Sequence, residues 1–222
     1  MFKRKHNERY LLVFDFDGTI AATRTHSIEI MNRLAEDFGF RRIEEKDLDR
    51  LRSLTLWQFI RHLKIPIRKI SKILHRAQEE MTRNILQIKL VPGIGDVIRQ
   101  LKDMGHSIGI MTSNSRENVT ALLQHHDLEV FDFMLCSVKL RKKARNLKRL
   151  RRAHKVRSRN FLYVGDECRD VRAAKKARVR VAAVTWGFNN GKILRKFRPH
   201  YVLSEPGQLL DVCQGLASAG AR

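Results

Sequence analysis

Short apolar runs alternate with helical patterns along most of the chain. Six of these runs are bounded by turn residues and predict strands at 11–16, 107–113, 131–137, 160–166, 180–186 and, more weakly, 201–204. Between them, leucine and isoleucine recur at three- and four-residue spacing, as in residues 94–104. Solidly apolar strands that alternate with helices are typical of a parallel sheet covered on both faces. The pattern therefore predicts an α/β fold.

One long segment interrupts this alternation directly after the first predicted strand. Residues 21–90 contain four consecutive helical patterns and no convincing strand. Pro92 and Gly93 then form a turn at which the α/β pattern resumes. We therefore predict two units, an α/β core of residues 1–20 and 91–222 and a helical unit of residues 21–90 at the carboxyl end of the first strand.

Polar side chains gather where three of the predicted strands end. They are Asp15 and Asp17 after the first strand, Thr112, Ser113 and Asn114 after the second, and Gly165 to Asp170 after the fourth. Parallel α/β sheets bind ligands outside the carboxyl ends of their strands, so these groups should face one crevice. Carboxylates held together have raised pKa values or a metal between them. Such oxygen-rich sites suit Mg²⁺ bound jointly with a substrate phosphate.

Four ordered motifs resemble those of the haloacid dehalogenase superfamily. They are "DFDGT" (15–19), "TSNS" (112–115), a lysine upstream of the fourth strand, and "GDECRD" (165–170). The resemblance spans nearly the whole chain and includes a helical cap inserted after the first motif, as in the phosphoglycolate phosphatase-like subgroup. It implies a three-layer Rossmann-like parallel sheet, with residues 21–90 as the cap, and a Mg²⁺-dependent phosphatase acting on a small phosphorylated metabolite.

The resemblance also implies a role for each acidic residue. Asp15 corresponds to the nucleophile that forms an aspartyl-phosphate, and Asp17 corresponds to the general acid and base. Mg²⁺ would be bound by Asp15, the backbone carbonyl of Asp17 and Asp166. Asp170, one helical turn beyond Asp166, would hold either metal-bound water or the motif lysine.

Four further residues are candidates for binding the phosphate. Gly18 lets the backbone turn sharply beside the phosphate, and Thr19 would close that loop by hydrogen bonding. Ser113, with Asn114 next to it, corresponds to the second motif, whose hydroxyl and backbone N–H groups hold phosphoryl oxygens at a helix N-terminus. Thr112 is one residue away and is interpreted as structural.

The motif lysine is ambiguous because the segment that should contain it is crowded with cations. Residues 139–159 hold 12 lysines and arginines and no acid. Lys143 is followed by Leu147 and Leu150 at the spacing seen in related capped members, and Lys142 is the reserve candidate. Either ammonium would neutralise the nucleophile and the transferring phosphoryl group.

Charge and composition limit the partners and the compartment. The formal net charge of this 222-residue chain is +22, which favours anionic partners, and nucleic acid is a possible partner for residues 139–159. A solvated cationic face is the alternative interpretation of that run. No apolar stretch approaches the roughly 18 residues of a membrane span. Three cysteines without a pairing pattern favour a reducing, cytoplasmic location.

Other residues and other functions remain open at this level. Arg24 is either a clamp for a substrate carboxylate or phosphate, or a surface arginine. Trp186 is interpreted as packing at the rim, Cys168 as structural, and Glu167 as either a supporting carboxylate or a loop residue. Two alternative functions are a phosphotransferase or mutase of the same fold and a nucleic-acid-associated protein that retains it.

Overall fold

The computed structural model describes residues 9–219, apart from the side chains of residues 140 and 216–219. Its six strands form one parallel sheet in the order β3-β2-β1-β4-β5-β6. The strands are β1 Leu11–Phe14, β2 Ser107–Met111, β3 Phe133–Leu135, β4 Phe161–Gly165, β5 Arg180–Val184 and β6 Tyr201–Leu203. The predicted α/β fold with a parallel sheet is confirmed, and each strand is shorter than its apolar run.

The helices of residues 9–219 cover both faces of this sheet and fill the long insertion. They are α1 Arg24–Phe38, α2 Leu48–Arg52, α3 Leu56–His62, α4 Ile70–Arg83, α5 Ile94–Asp103, α6 Arg116–His125, α7 Lys143–Ala153, α8 Cys168–Ala177, α9 Gly191–Lys196 and α10 Gln208–Ala219. None of the helices in this part of the chain combines the length and the apolar character that crossing a bilayer requires.

Alternating side chains of β1 contribute to two separate hydrophobic clusters. Leu12 and Phe14 point into a cluster that includes residues of α5, α6 and α10. Leu11 and Val13 point to the opposite face, into a cluster with residues of α7, α8 and α9. Because successive residues of a strand face opposite sides, a strand that is apolar throughout must be covered on both. This gives the three layers of the fold.

Residues 24–83 carry a third hydrophobic cluster of their own. Its buried members come from α1, α2 and α4 and from the connections between the helices, and include Ile30, Leu34, Leu51, Leu63 and Ile73. An antiparallel bridge between Ala21 and Leu90 brings the two ends of the insertion together. The helical unit can therefore pack around its own apolar side chains, which supports our proposal that residues 21–90 form a distinct cap.

The central position of β1 decides where the first acidic motif lies. β1 pairs with β2 on one side and β4 on the other, and the Asp15 N–H continues this ladder by donating to the carbonyl of Val164 at 2.8 Å. The next residues leave the sheet, so both acids of the motif emerge at the carboxyl edge between two neighbouring strands. This edge carries the candidate site.

A buried histidine directly before β2 should make stability depend on pH. His106 is 3% exposed and packs edge-on against the ring of Tyr10, with ring centroids 5.4 Å apart. Burial lowers the pKa of His106 below its ordinary value of 6.5. His106 therefore takes up a proton at a higher pH in the unfolded chain than in the folded protein, and the free energy of unfolding falls as the pH drops below 6.5.

Replacing His106 by phenylalanine should remove this part of the acid sensitivity. Between pH 6.5 and 5.5, the wild-type free energy of unfolding should fall by up to about 1.4 kcal/mol more than that of the variant. Urea unfolding of both proteins at pH 7.5, 6.5 and 5.5 measures the difference. Identical pH dependence in the two proteins would show that burial of the imidazole does not control this stability.

Candidate active site

A lysine and two aspartates form a buried ion cluster at the carboxyl edge of the sheet. The Nζ of Lys143, which begins α7, lies 2.5 Å from Oδ2 of Asp15 and 2.7 Å from Oδ1 of Asp170 in α8. Lys143 is 1% exposed and Asp170 is fully buried. Burial alone would lower the pKa of Lys143, but Asp15 and Asp170 hold it well above its usual range. The cluster therefore keeps a protonated ammonium directly against the first aspartate.

Two further donors hold the Asp170 carboxylate in place beside Lys143. Its Oδ1 also accepts a hydrogen bond from the Tyr163 hydroxyl at 3.2 Å, and its Oδ2 accepts one from the Glu167 N–H at 3.1 Å. Of the two roles proposed for Asp170 from the sequence, this geometry favours holding the lysine.

Asp166 follows β4 and lies beside the glycine of the first motif. Its Oδ1 accepts a hydrogen bond from the Thr19 hydroxyl at 3.0 Å, and its Oδ2 accepts one from the Phe188 N–H at 2.7 Å. Gly18 has φ +74° and would place a Cβ against the Asp166 carboxylate, as would Gly187. Both positions need glycine because the backbone approaches the carboxylate so closely. Thr19 thus orients Asp166.

The donor set fits a divalent cation. Oxygen atoms of Asp15, Asp166 and Asp170 lie within 4.8 Å of one another, and all three residues are buried. Burial, followed by the nearby carboxylates, raises the pKa of Asp166 well above its usual range, and no cation of the described residues forms an ion pair with it. A buried carboxylate in this state is stabilised by a positive charge. An all-oxygen set of this kind can hold a hard metal ion.

Asp17, two residues after Asp15, lies where the helical unit meets the core. Burial and the charge of Asp15 raise the pKa of Asp17 to about 6. Both of its carboxylate oxygens lie near Nδ2 of Asn114, at 3.1 and 3.3 Å, and this contact opposes the rise. Asn118 orients Asn114 by donating to its Oδ1 at 3.0 Å, and also donates to the Thr82 hydroxyl of α4. Asn114 therefore contacts the second aspartate directly.

The structure separates the two candidate lysines. Lys142 is exposed, whereas the neighbouring Lys143 turns inward into the ion cluster. Leu147 and Leu150 are buried on the same side of α7. The apolar spacing after Lys143 was thus the informative signal, because residues four and seven positions apart share a face of a helix.

The second motif contributes one structural hydroxyl and one accessible serine. Thr112 is buried, and its Oγ1 accepts a hydrogen bond from the Asn114 N–H at 3.0 Å. Ser113 is half-buried and directly precedes Asn114 at the same edge. Ser115 caps α6 by accepting from the Asn118 N–H. A phosphate-binding role for Ser113 stays a proposal.

The loop after β5 holds three site residues that the sequence did not single out, Gly187, Phe188 and Asn189, directly after Trp186. Gly187 and Phe188 contact the Asp166 carboxylate. Trp186 donates its indole N–H to the carbonyl of Thr19 at 3.1 Å. Asn189 accepts from the Cys168 N–H at 2.9 Å through Oδ1. The only available signal was the position of this loop after a parallel strand.

The same loop joins the core to the helical unit. The Asn189 Nδ2 group donates to the carbonyls of Arg52 and Leu54, at 3.2 and 3.0 Å. In the opposite direction, the Arg52 guanidinium donates to the carbonyl of Thr185 at 2.6 Å. The helical unit is therefore attached next to the residues that surround Asp166.

The remaining residues of the fourth motif support α8. Glu167 caps this helix and forms an ion pair with Arg169, and burial raises the pKa of Glu167 to about 7. Cys168 is buried, which raises the pKa of its thiol to about 12. A thiol in this state is an inert packing group.

Comparison with known proteins agrees with the motifs. A phosphoglycolate phosphatase of Synechococcus elongatus is 33% identical over 201 residues, covering 90% of this chain and 95% of that protein. One from Aliivibrio fischeri is 25% identical over 216 residues, covering 91% and 95%. The crystal structure of a predicted phosphatase from Clostridium acetobutylicum has the same fold, with a TM-score of 0.77 at 20% identity, over 94% and 100% of the two chains. The model of haloacid dehalogenase-like hydrolases matches residues 12–184, and the chain belongs to this family.

Proposed function

We propose that this hydrolase is a Mg²⁺-dependent phosphatase that cleaves a small phosphomonoester through a phosphorylated Asp15. The observation that carries the proposal is the buried Lys143 ammonium held between Asp15 and Asp170. A fixed cation beside a carboxylate neutralises the charge that gathers when that carboxylate meets a phosphoryl group. The phosphoglycolate phosphatase names of the two relatives support the same reaction class.

In the first half of the reaction, Asp15 is the nucleophile. One of its carboxylate oxygens forms a bond to phosphorus while the bond between phosphorus and the ester oxygen breaks. Asp17 gives its proton to that leaving oxygen, which departs as an alcohol. A pKa of about 6 suits this task, because it keeps a larger fraction of Asp17 protonated near neutral pH than an ordinary aspartate would have.

In the second half, Asp17 acts as the base. It takes a proton from water as the water oxygen attacks phosphorus, and the bond between phosphorus and Asp15 breaks. Inorganic phosphate leaves, and both aspartates return to their starting state. Because the hydrolysis is split into two steps, the same pair of carboxylates acts both in forming the phosphorylated Asp15 and in hydrolysing it.

Asp15, Asp166 and the backbone carbonyl of Asp17 would hold the metal, with Asp170 holding Lys143 beside it. Mg²⁺, when bound, supplies positive charge that allows an anionic nucleophile to approach an anionic phosphate. Thr19 and the Phe188 N–H keep Asp166 oriented for this purpose. Ser113 would contact the phosphoryl oxygens from the end of the neighbouring strand β2, at the same edge of the sheet.

We propose that the substrate carries a second anionic group, as phosphoglycolate does. Arg24 and Arg52 lie in the helical unit, and Arg24 is close enough to contribute to lowering the pKa of Arg52, an effect that burial dominates. The Arg52 guanidinium contacts the loop after β5 that also contacts Asp166, and a second positive charge from Arg24 would favour a carboxylate there. The cap of residues 21–90 would close over the substrate and exclude water. A cytoplasmic location stays a prediction.

A phosphate-release assay tests the function directly. We expect the protein to release inorganic phosphate from phosphoglycolate and other small phosphomonoesters in Mg²⁺, and to lose activity in EDTA until Mg²⁺ is restored. An alkyl phosphate that lacks a second anionic group should be cleaved less efficiently than phosphoglycolate. Transfer of the phosphoryl group to a second substrate, without stoichiometric free phosphate, would instead support the phosphotransferase or mutase.

A further inference from the structure

A groove of about 700 Å³ on the outer side of α7 is lined almost entirely by cations. We call it the basic groove. It is formed by Arg141, Arg145, Lys148, Arg149, Arg152 and Lys176, together with Ala144 and Ala153. All six cationic side chains are exposed. The groove is a different surface from the buried cluster around Asp15, because Lys143 turns inward from the same helix.

The six cations of the basic groove have no partner among the described residues. None of them forms an ion pair or a side-chain hydrogen bond within residues 9–219. Some cations elsewhere are paired, such as Arg33 with Glu80, Arg41 with Asp47 and Lys102 with Asp132. The groove therefore concentrates positive charge that nothing in this part of the chain neutralises.

The packing of α7 forces these charges together. Leu147 and Leu150 are buried against the core and fix which side of the helix faces solvent. On that exposed side, Arg145 and Arg149 are four residues apart, as are Lys148 and Arg152. Like charges at this spacing destabilise a helix, and an anionic partner removes that repulsion.

We propose that the basic groove binds the phosphate backbone of double-stranded nucleic acid. Repeated phosphates match several cations in a row, and each contact releases a condensed counterion. Amphipathic helices that lie on membranes insert apolar side chains beside their cations, and the groove has only two alanines. The exposed large apolar side chains of the described residues are Leu56, Trp57, Ile67, Leu74 and Leu86, all in the helical unit.

The lining also predicts that binding does not depend on the base sequence of the nucleic acid. It contains no aromatic side chain on which bases could stack, and no asparagine or glutamine suited to a base edge. Contacts limited to phosphates carry no sequence information. The names of the relatives reported above do not mention nucleic acid, so the inference rests on this surface alone and is independent of the phosphatase activity.

Fluorescence anisotropy with two unrelated 20-base-pair DNA duplexes tests the proposal. Wild-type protein should bind both with similar Kd, and log K should fall steeply with log salt concentration. The triple variant Arg145→Glu, Arg149→Glu and Arg152→Glu should bind at least about tenfold more weakly at 150 mM salt, with a slope shallower by 2 to 3 units, at about 0.9 per lost phosphate contact.

A second triple variant separates the groove from net charge. Arg61→Glu, Arg68→Glu and Arg83→Glu change the same number of exposed charges within the helical unit and should leave the duplex Kd within about twofold. Phosphate release should be unchanged in the variant with Arg145→Glu, Arg149→Glu and Arg152→Glu, and Asp15→Asn should bind duplex normally. Equal losses in the two triple variants, or binding to phosphatidylserine vesicles without binding to duplex, would overturn the proposal.

Discussion

Replacing Asp15 by asparagine is expected to abolish phosphate release. The amide keeps the size of the side chain but is not a nucleophile, so no phosphorylated intermediate can form. Loss of the nucleophile from a set of residues that acts as a unit typically lowers kcat by about 10⁴-fold or more. Release of inorganic phosphate from phosphoglycolate at saturating Mg²⁺, with a detection limit below 0.01% of wild type, measures the loss.

Two controls make the Asp15 result specific. Asp103→Asn changes an exposed aspartate at the end of α5 and should leave activity and stability within experimental error of wild type. Asp15→Asn should remain folded, because Lys143 keeps its ion pair with Asp170. Substantial activity in a folded Asp15→Asn protein would contradict the proposed mechanism. Absence of a base-labile phosphoryl group on Asp15 in acid-quenched wild-type samples taken during turnover would also contradict it.

Replacing Lys143 by methionine is expected to reduce phosphate release by about 10²–10³-fold. Methionine fills a similar volume but removes the ammonium that faces Asp15 and Asp170. Removal of one preorganised charge-stabilising group usually costs this much in kcat. Because the group acts on the reacting phosphoryl group, most of the loss should appear in kcat and less in KM.

The same substitution should also destabilise the folded protein. Removing one partner of a buried ion pair leaves uncompensated charge and typically costs about 3–5 kcal/mol. Urea unfolding in EDTA should show this loss at neutral pH. It should shrink as the pH falls, because protonation of Asp15, whose pKa burial raises, removes part of the unpaired charge. Added Mg²⁺ should recover part of the stability by binding the folded state.

Lys142→Met is the matched control for Lys143. It changes the preceding residue in the same way, but the Lys142 side chain is exposed and lies outside the ion cluster. We expect its activity to stay within about twofold of wild type and its free energy of unfolding within about 0.5 kcal/mol. If Lys142→Met lost activity and Lys143→Met did not, the assignment of the motif lysine would be reversed.

The sequence by itself determined the sheet and the edge at which the acids meet. An apolar run followed at once by Asp15 and Asp17 specifies a buried strand with polar groups at its end, because apolar side chains are buried in the core whereas carboxylates lie at its edge. The same reasoning placed Asp166 and Asp170 after β4, and the ordered motifs identified the family. These features depend on short-range pattern and chain order, which are visible without coordinates.

Only the tertiary structure decided which groups contact one another across the site. Lys142 and Lys143 are adjacent in a run of cations, and the direction in which α7 packs Leu147 and Leu150 selects Lys143 as the buried one. Asn114 contacts Asp17 across 97 positions, and the loop after β5 brings Phe188 to Asp166. Such pairings depend on how separate strands and helices come together, and no local pattern encodes the distance between them.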